Sequence, residues 1–307
     1  MLTEAVPQQR TWHRSAARVM GSPSEILIDG DVELVRLGFE RLRQLEHTWS
    51  RFLPDSELNR LQAWRGDWLE CSDDLVAALQ WCQRMHAETH GLFDPSIRTN
   101  LEQLGYDRTF AEIVEHSSRP VETVTTAPAP GFDGLELSNN WARLTPGLSI
   151  DLGGIGKGLA ADLVADELIA AGANSAYVCL GGDIHAAGEP VDENGWNVPL
   201  LHPTTGEALD HHALYSGALV MSTVALRRWR RGDAELHHII DPRSGRPADT
   251  DLVAVAVAAS SAARGEALAK AAIIAGATEG AALLRSADVK AWMISADRVH
   301  MIEEFDQ

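Results

Sequence analysis

The sequence predicts a mixed α+β fold. Three features carry this expectation: helical periodicity of apolar residues in the first half, short apolar strands alternating with helices in the second, and glycine-rich turns between them. Residues 1–18 read as a loose polar arm leading to a first strand near 25–28. Asp31 caps a helix whose Val32, Val35, Phe39 and Leu42 follow helical spacing. A turn at Pro54-Asp55-Ser56-Glu57-Leu58 opens a short helix. The next helix, from about 73 to 90, places Leu75, Leu79 and Cys82 on one face and stops at Gly91. Residues 116–134 are rich in Ser, Thr, Pro and Gly and are expected to form an exposed loop. A strand end at 149–152 precedes a Gly-rich turn and a helix from about 157 to 171. Strands are expected at 176–180, 196–201, 218–222, 237–240 and along the β-branched run 252–257. A helix at about 265–275 and a hairpin of 290–294 with 298–302, turning at Ser295-Ala296-Asp297, finish the chain. No linker divides it, so one domain is expected over residues 1–307.

The chain has 307 residues, 26 Lys+Arg against 44 Asp+Glu, and a formal net charge of −18. Hydrophobic residues make up 45% and charged residues 23%, which excludes a disordered chain. The acidic balance speaks against sequence-independent nucleic-acid binding, which needs clustered cations, and against a polybasic membrane surface. Cys71, Cys82 and Cys179 form no CxxC pair and read as reduced thiols. Glu4, Pro7 and Arg10 interrupt the start where a signal peptide needs an apolar stretch, and no window reads as a bilayer span. A cytoplasmic protein without membrane insertion is expected.

Several segments could carry chemistry. In Ile150-Asp151-Leu152-Gly153-Gly154-Ile155-Gly156-Lys157-Gly158, four glycines and a helix start let backbone N–H groups and Lys157 approach a phosphate. The spacing is not that of a Walker A loop, and a tight structural turn would look the same. Gly181-Gly182-Asp183 and Gly91-Leu92-Phe93-Asp94-Pro95 are turns that either contact a ligand or simply end their elements. His237-His238-Ile239-Ile240-Asp241-Pro242-Arg243-Ser244-Gly245 brings a histidine pair into a strand. His238 and Asp241 would cooperate only if the chain bends at Pro242. His86 and His90 have metal-ligand spacing on a helix without a third ligand.

Taken in order, these landmarks resemble the ApbE family, the FAD:protein FMN transferases, over nearly the whole chain. The matching segments are Val19-Met20-Gly21, residues 50–58 (SRFLPDSEL), Gly91-Leu92-Phe93-Asp94-Pro95, residues 150–158, Leu180-Gly181-Gly182-Asp183-Ile184, Trp196-Asn197-Val198 and residues 238–245. Residues 227–232 (RRWRRG) look like actinobacterial members. The resemblance implies an α+β fold related to the T-fold, with two lobes flanking a flavin cleft. It also implies cleavage of FAD to AMP and attachment of FMN, through a phosphoester, to Ser or Thr of a target protein, normally with magnesium. Carried over by position, Met20, Phe52, Leu92, Phe93 and Asp94 would line the adenosine region. Asp151 and Lys157 would hold flavin groups, Ile239 would contact the cofactor beside His238, and the Gly154 backbone would face the metal. His238 would be the catalytic base.

One helix departs from the family pattern. The usual Ala-Asp-x-x-x-Thr, with carboxylate and hydroxyl on one face, is here Gly265-Glu266-Ala267-Leu268-Ala269-Lys270. Glu266 remains a possible metal ligand, whereas an ammonium repels one. Lys270 is therefore expected either to form a solvated pair with Glu266 or to stand where magnesium would sit, against the FAD phosphates. Met221-Ser222-Thr223 also replaces a Thr-Ser-Gly or Thr-Ser-Ser turn, losing one hydroxyl. Two readings follow: a working FMN transferase, or an FAD-binding protein of the same fold without transfer.

Overall fold

The structure is a computed structural model and describes residues 10–64, 66–115, 126–296 and 298–303. Eight strands form one antiparallel sheet whose spatial order follows the chain. They are β1 (Trp12–Val19), β2 (Ser22–Asp29), β3 (Ser175–Leu180), β4 (Asp183–Gly188), β5 (Gly217–Thr223), β6 (Leu252–Ala259), β7 (Lys290–Ser295) and β8 (Val299–Ile302). Every neighbouring pair is antiparallel.

The period-two alternation gives the sheet two apolar faces. Ile26, Ile28, Val178, Val220, Val255 and Val257 face the main core, which includes residues from α1 (Glu33–Trp49), α6 (Gly156–Ala170) and α7 (Ala262–Ser286). Tyr177, Leu219, Ala256 and Trp292 belong to a second cluster with Trp196, Val198 and Leu200. This opposite face is covered by the hairpin of Trp196–Leu201 with Ala208–Leu214. The second lobe holds α2 (Glu57–Ala63), α3 (Asp73–Glu88), α4 (Arg98–Gln103), α5 (Phe110–Glu115) and a three-stranded sheet of Leu69–Glu70, Trp141–Leu144 and Leu135–Ser138.

α6 and α7 approach closely because residue 158 is glycine: a Cβ there would lie 2.5 Å from the Ala262 carbonyl oxygen. Asp162 then caps α7, accepting from the Ala262 N–H (2.7 Å), the Ala263 N–H (3.0 Å) and Ser261 Oγ (2.7 Å).

Several expectations need correction. Within 1–18, residues 12–19 are not an arm but β1, paired along β2; residues 1–9 lie outside the described residues. Val32 is 59% exposed and precedes the helix, whose buried face is Leu34, Val35, Phe39, Leu42, Leu45 and Trp49. Residues 149–152 form no strand; Gln62 Oε1 holds them instead, accepting from Ile150 N–H (2.8 Å) and Ser149 Oγ (2.9 Å). The expected strand 237–240 is broken at His238 and Ile239, between Ala234–His237 and Ile240–Asp241.

The helix foreseen at 265–275 runs from Ala262 to Ser286, with a kink at Gly276 (φ 80°). It is also long and apolar enough to cross a membrane, contrary to the sequence reading. More than half of that apolar window is buried in this fold, so core packing accounts for its composition. In the expected exposed loop, residues 116–125 lie outside the described residues, while Phe132 is buried. Asp297 of the final turn also lies outside them.

Candidate functional site

Between the lobes lies a cavity of about 660 Å³, and a second of about 550 Å³ adjoins it through shared lining residues Arg51, Phe52, Asp151, Gly153 and Arg227. Phe52, Leu92, Phe93, Asp94, Asp151, Gly154, His238, Ile239 and Lys270 line the first. Met20 and Lys157 line the second. Glu266 lines neither; it is fully buried behind the lysines.

Short segments set these side chains. At the end of α3, the Gly91 N–H returns to the His86 carbonyl (2.8 Å), and Gly91 takes a positive φ of 80°. This turns Leu92–Asp94 toward the cleft. Asp94 caps the following turn, accepting from the Ser96 N–H at 2.8 Å, so one of its oxygens is already committed. The loop 150–155 is joined to this turn by Asp151 N–H to Pro95 O (2.8 Å). Gly154 fits there for want of a Cβ, which would lie 3.0 Å from Phe93 Cε2 and 3.6 Å from Lys270 Cδ.

Arg51 reaches the Asp151 carboxylate (2.8 Å) and lies over the Phe52 and Tyr106 rings at 4.1 and 4.7 Å. Asp151 also accepts from the Gly153 N–H. Its first task in this structure is thus to hold Arg51 and its own loop.

Two partly buried lysines at the cavity wall are backed by two buried carboxylates. Lys157 Nζ pairs with Asp183 and with Glu266 Oε1 (3.0 Å). Lys270 Nζ lies 2.9 Å from the same Oε1 and donates to Ser222 Oγ (3.3 Å). Glu266 Oε2 accepts from the Gly158 N–H (2.9 Å). Burial pushes the Glu266 carboxyl upward, but Lys157 and Lys270 outweigh it and hold it at about 2. Burial also works against the Lys157 ammonium, and Asp183 with Glu266 keeps it above the usual lysine range. The Lys270 pKa is lowered by burial, with Glu266 opposing.

Burial, followed by the charges of Arg227 and Lys270, drives the His238 pKa well below 6.5, so the ring is neutral near pH 7. Its Nδ1 is buried without a hydrogen-bond partner. Asp241 is not that partner: its carboxylate holds Arg243 at 2.9 Å, so the chain does not bend to bring the two into cooperation. His86 lies 3.9 Å from Asp94, and among the described residues no group of three or more His, Cys, Asp or Glu could hold a metal ion.

Sequence reasoning gave no roles to Arg51, Tyr106 or Arg227. Arg227 borders both cavities, donating to Tyr106 Oη (3.4 Å) and Ser22 Oγ (3.2 Å). The available signals were a cation beside Phe52 and the arginine run at 227–231.

Residues 20–293 match the ApbE family. An FAD:protein FMN transferase of Rhodobacter capsulatus is 30% identical over 246 residues, covering 76% of this chain and 45% of that protein. The chain therefore matches less than half of that relative's length. One from Treponema pallidum is 30% identical over 268 residues, covering 80% of this chain and 72% of that protein. The structure of the Thermotoga maritima ApbE protein superimposes with a TM-score of 0.82 at 20% identity, covering 96% of this chain and 97% of that one. The apo form of the Pseudomonas stutzeri flavinyl transferase ApbE gives 0.78 at 21% identity, covering 98% and 97%. These superpositions place the sheet, the two lobes and the intervening cleft in a known fold. The chain belongs to the ApbE family.

Proposed function

We propose that the protein is an FAD:protein FMN transferase that moves FMN from FAD to a Ser or Thr of an acceptor protein. The observation that carries this reading is His238: its Nδ1 lacks a partner, its ring is neutral, and it lines the same cavity as Lys270 and Arg227. In this reading FAD spans the two adjoining cavities. Phe52, Leu92, Phe93 and Ile239 supply apolar contacts, Met20 and Lys157 border the far part, and Asp94 offers its second oxygen to a ligand hydroxyl or amide.

The acceptor hydroxyl attacks the FMN phosphorus as its proton passes to His238. The bond from that phosphorus to the bridging oxygen breaks, and AMP leaves with the electron pair. The protein's cations balance the charge that builds on the phosphate oxygens. Such a general base contributes about 10²–10⁴ in rate. Incubation of the chain with FAD and a Ser- or Thr-containing acceptor peptide should therefore release AMP and add FMN mass to the peptide. His238→Asn should lose about a hundredfold or more in rate while still binding FAD. AMP release by His238→Asn at the wild-type rate would refute the base assignment.

A second reading, an FAD-binding protein without transfer, is favoured by the complete engagement of Glu266 at the helix where the family pattern has its metal ligands. FAD binding with no AMP release would decide for it. The unpaired thiols Cys71, Cys82 and Cys179 support a reducing, cytoplasmic setting.

A further inference from the structure

The ApbE resemblance implies magnesium at a carboxylate and hydroxyl one helical turn apart, positions held here by Glu266 and Lys270. Magnesium requires oxygen donors in a near-octahedral shell at about 2.0–2.1 Å. The residues do not fit it. Glu266 Oε1 faces two ammonium groups at 3.0 and 2.9 Å, and Oε2 is taken by the Gly158 N–H at 2.9 Å. Asp183 pairs with Lys157 through Oδ2, its buried Oδ1 has no hydrogen-bond partner but Asp183 lines neither cavity, and Ser222 Oγ accepts from Lys270. A metal ion would have to displace a lysine bound to the fold by its own side chain.

The charges around the cleft show what could serve instead. Lys157 and Lys270 balance Asp183 and Glu266, and Arg51 balances Asp151. Asp94 and Glu46 also line the cavities, but neither pairs with Arg227: among the described residues this guanidinium has no carboxylate partner, and it lies at the junction of the two cavities. Lys270 can also turn part of its charge to a ligand, because Glu266 keeps Lys157 and the Gly158 N–H.

From this placement we infer that the dinucleotide's doubly negative pyrophosphate is held by Lys270 and Arg227 without a divalent metal. The inference deepens the flavin-dinucleotide reading of the site and rests on it. A fixed ammonium supplies point charge, and a guanidinium supplies a fork matched to phosphate oxygens.

FAD affinity, read by flavin fluorescence in excess EDTA and again in excess magnesium chloride, tests this on the wild-type chain. The two affinities should agree within about twofold, while Arg227→Gln and Lys270→Met should each weaken FAD binding about tenfold or more in EDTA. Riboflavin carries no phosphate, so its binding should be unchanged in both variants, which separates lost phosphate contacts from a disturbed fold. A wild-type FAD affinity that collapses in EDTA overturns the inference, as does an unchanged FAD affinity in both variants. Parallel loss of riboflavin and FAD binding overturns the phosphate role. Metal-independent FAD binding without AMP release would instead refute the transfer reading and leave this inference standing.

Discussion

Gly156 and Gly158 lie two residues apart in α6, yet only Gly158 should lose stability when substituted by alanine. At 158 the added Cβ would lie 2.5 Å from the Ala262 oxygen, 2.6 Å from its carbonyl carbon and 2.8 Å from the Ala263 nitrogen. These are backbone atoms that Asp162 pins at the start of α7, so no side-chain rotation relieves the contact. Overpacking costs about 1–3 kcal/mol, and a backbone clash belongs at the upper end. Alanine returns about 1 kcal/mol of helix propensity, leaving a net loss of about 2 kcal/mol for Gly158→Ala. At 156 the nearest atoms would be Trp49 Cε3 at 3.8 Å and Leu152 Cβ at 3.9 Å, ordinary contacts. Gly156→Ala should then be neutral or stabilise by up to about 1 kcal/mol. Urea unfolding followed by tryptophan fluorescence reads both variants as midpoint shifts at unchanged slope. A Gly158→Ala protein as stable as Gly156→Ala would refute the claim that residue 158 sets the approach of the two helices.

The half-buried, neutral His238 makes stability pH-dependent. Above about pH 6.5 the ring is neutral folded and unfolded; below it only the unfolded ring gains a proton, so stability falls by up to about 1.4 kcal/mol per pH unit. His238→Gln should flatten that part of the slope in urea titrations run at successive pH values, and an identical slope in both proteins would contradict the burial argument. Asp162→Ala removes three hydrogen bonds at the α7 N-terminus and should cost about 2 kcal/mol in the same assay, the upper end for a helix cap. A loss no larger than that of an exposed alanine substitution would mean that α7 is not held from α6.

Local signals made much of the chain legible, because they act over a few residues. Ser56, with Pro54 before it, marked α2, and the apolar spacing of Leu75, Leu79 and Cys82 marked the buried face of α3. The glycine turns at 91, 153–158 and 181–182 marked the segments around the cleft. β1 was illegible because its residues from His13 to Ala17 are mostly polar or small and its pairing partner comes after the turn at Met20 and Gly21. The sheet order joins β2 to β3 across most of the first half of the chain, a pairing that no local pattern encodes. For the same reason Asp151 looked like a free ligand contact. Its partner Arg51 comes from the loop after α1, and only the fold brings them to 2.8 Å.

Lys157, Asp183, Glu266 and Lys270 make sense as one unit rather than as three separate ion pairs. Isolated buried charges are costly, and even matched pairs barely repay their desolvation. Here each lysine has a carboxylate, and Glu266 serves both while receiving a backbone N–H from α6. That N–H comes within reach because residue 158 has no side chain, so close helix packing and charge placement depend on the same glycine. The carboxylate at 266 is consequently a strut between α7 and α6. Its partner at 270, one turn along, presents an ammonium toward the cavity that Gly154 leaves open. A hydroxyl at 270 would leave Glu266 facing Lys157 alone and would carry no charge to the cleft. Glycine, carboxylate and lysine thus form an interdependent set, in which the cation at the cavity wall is fixed by the same contacts that join the two helices.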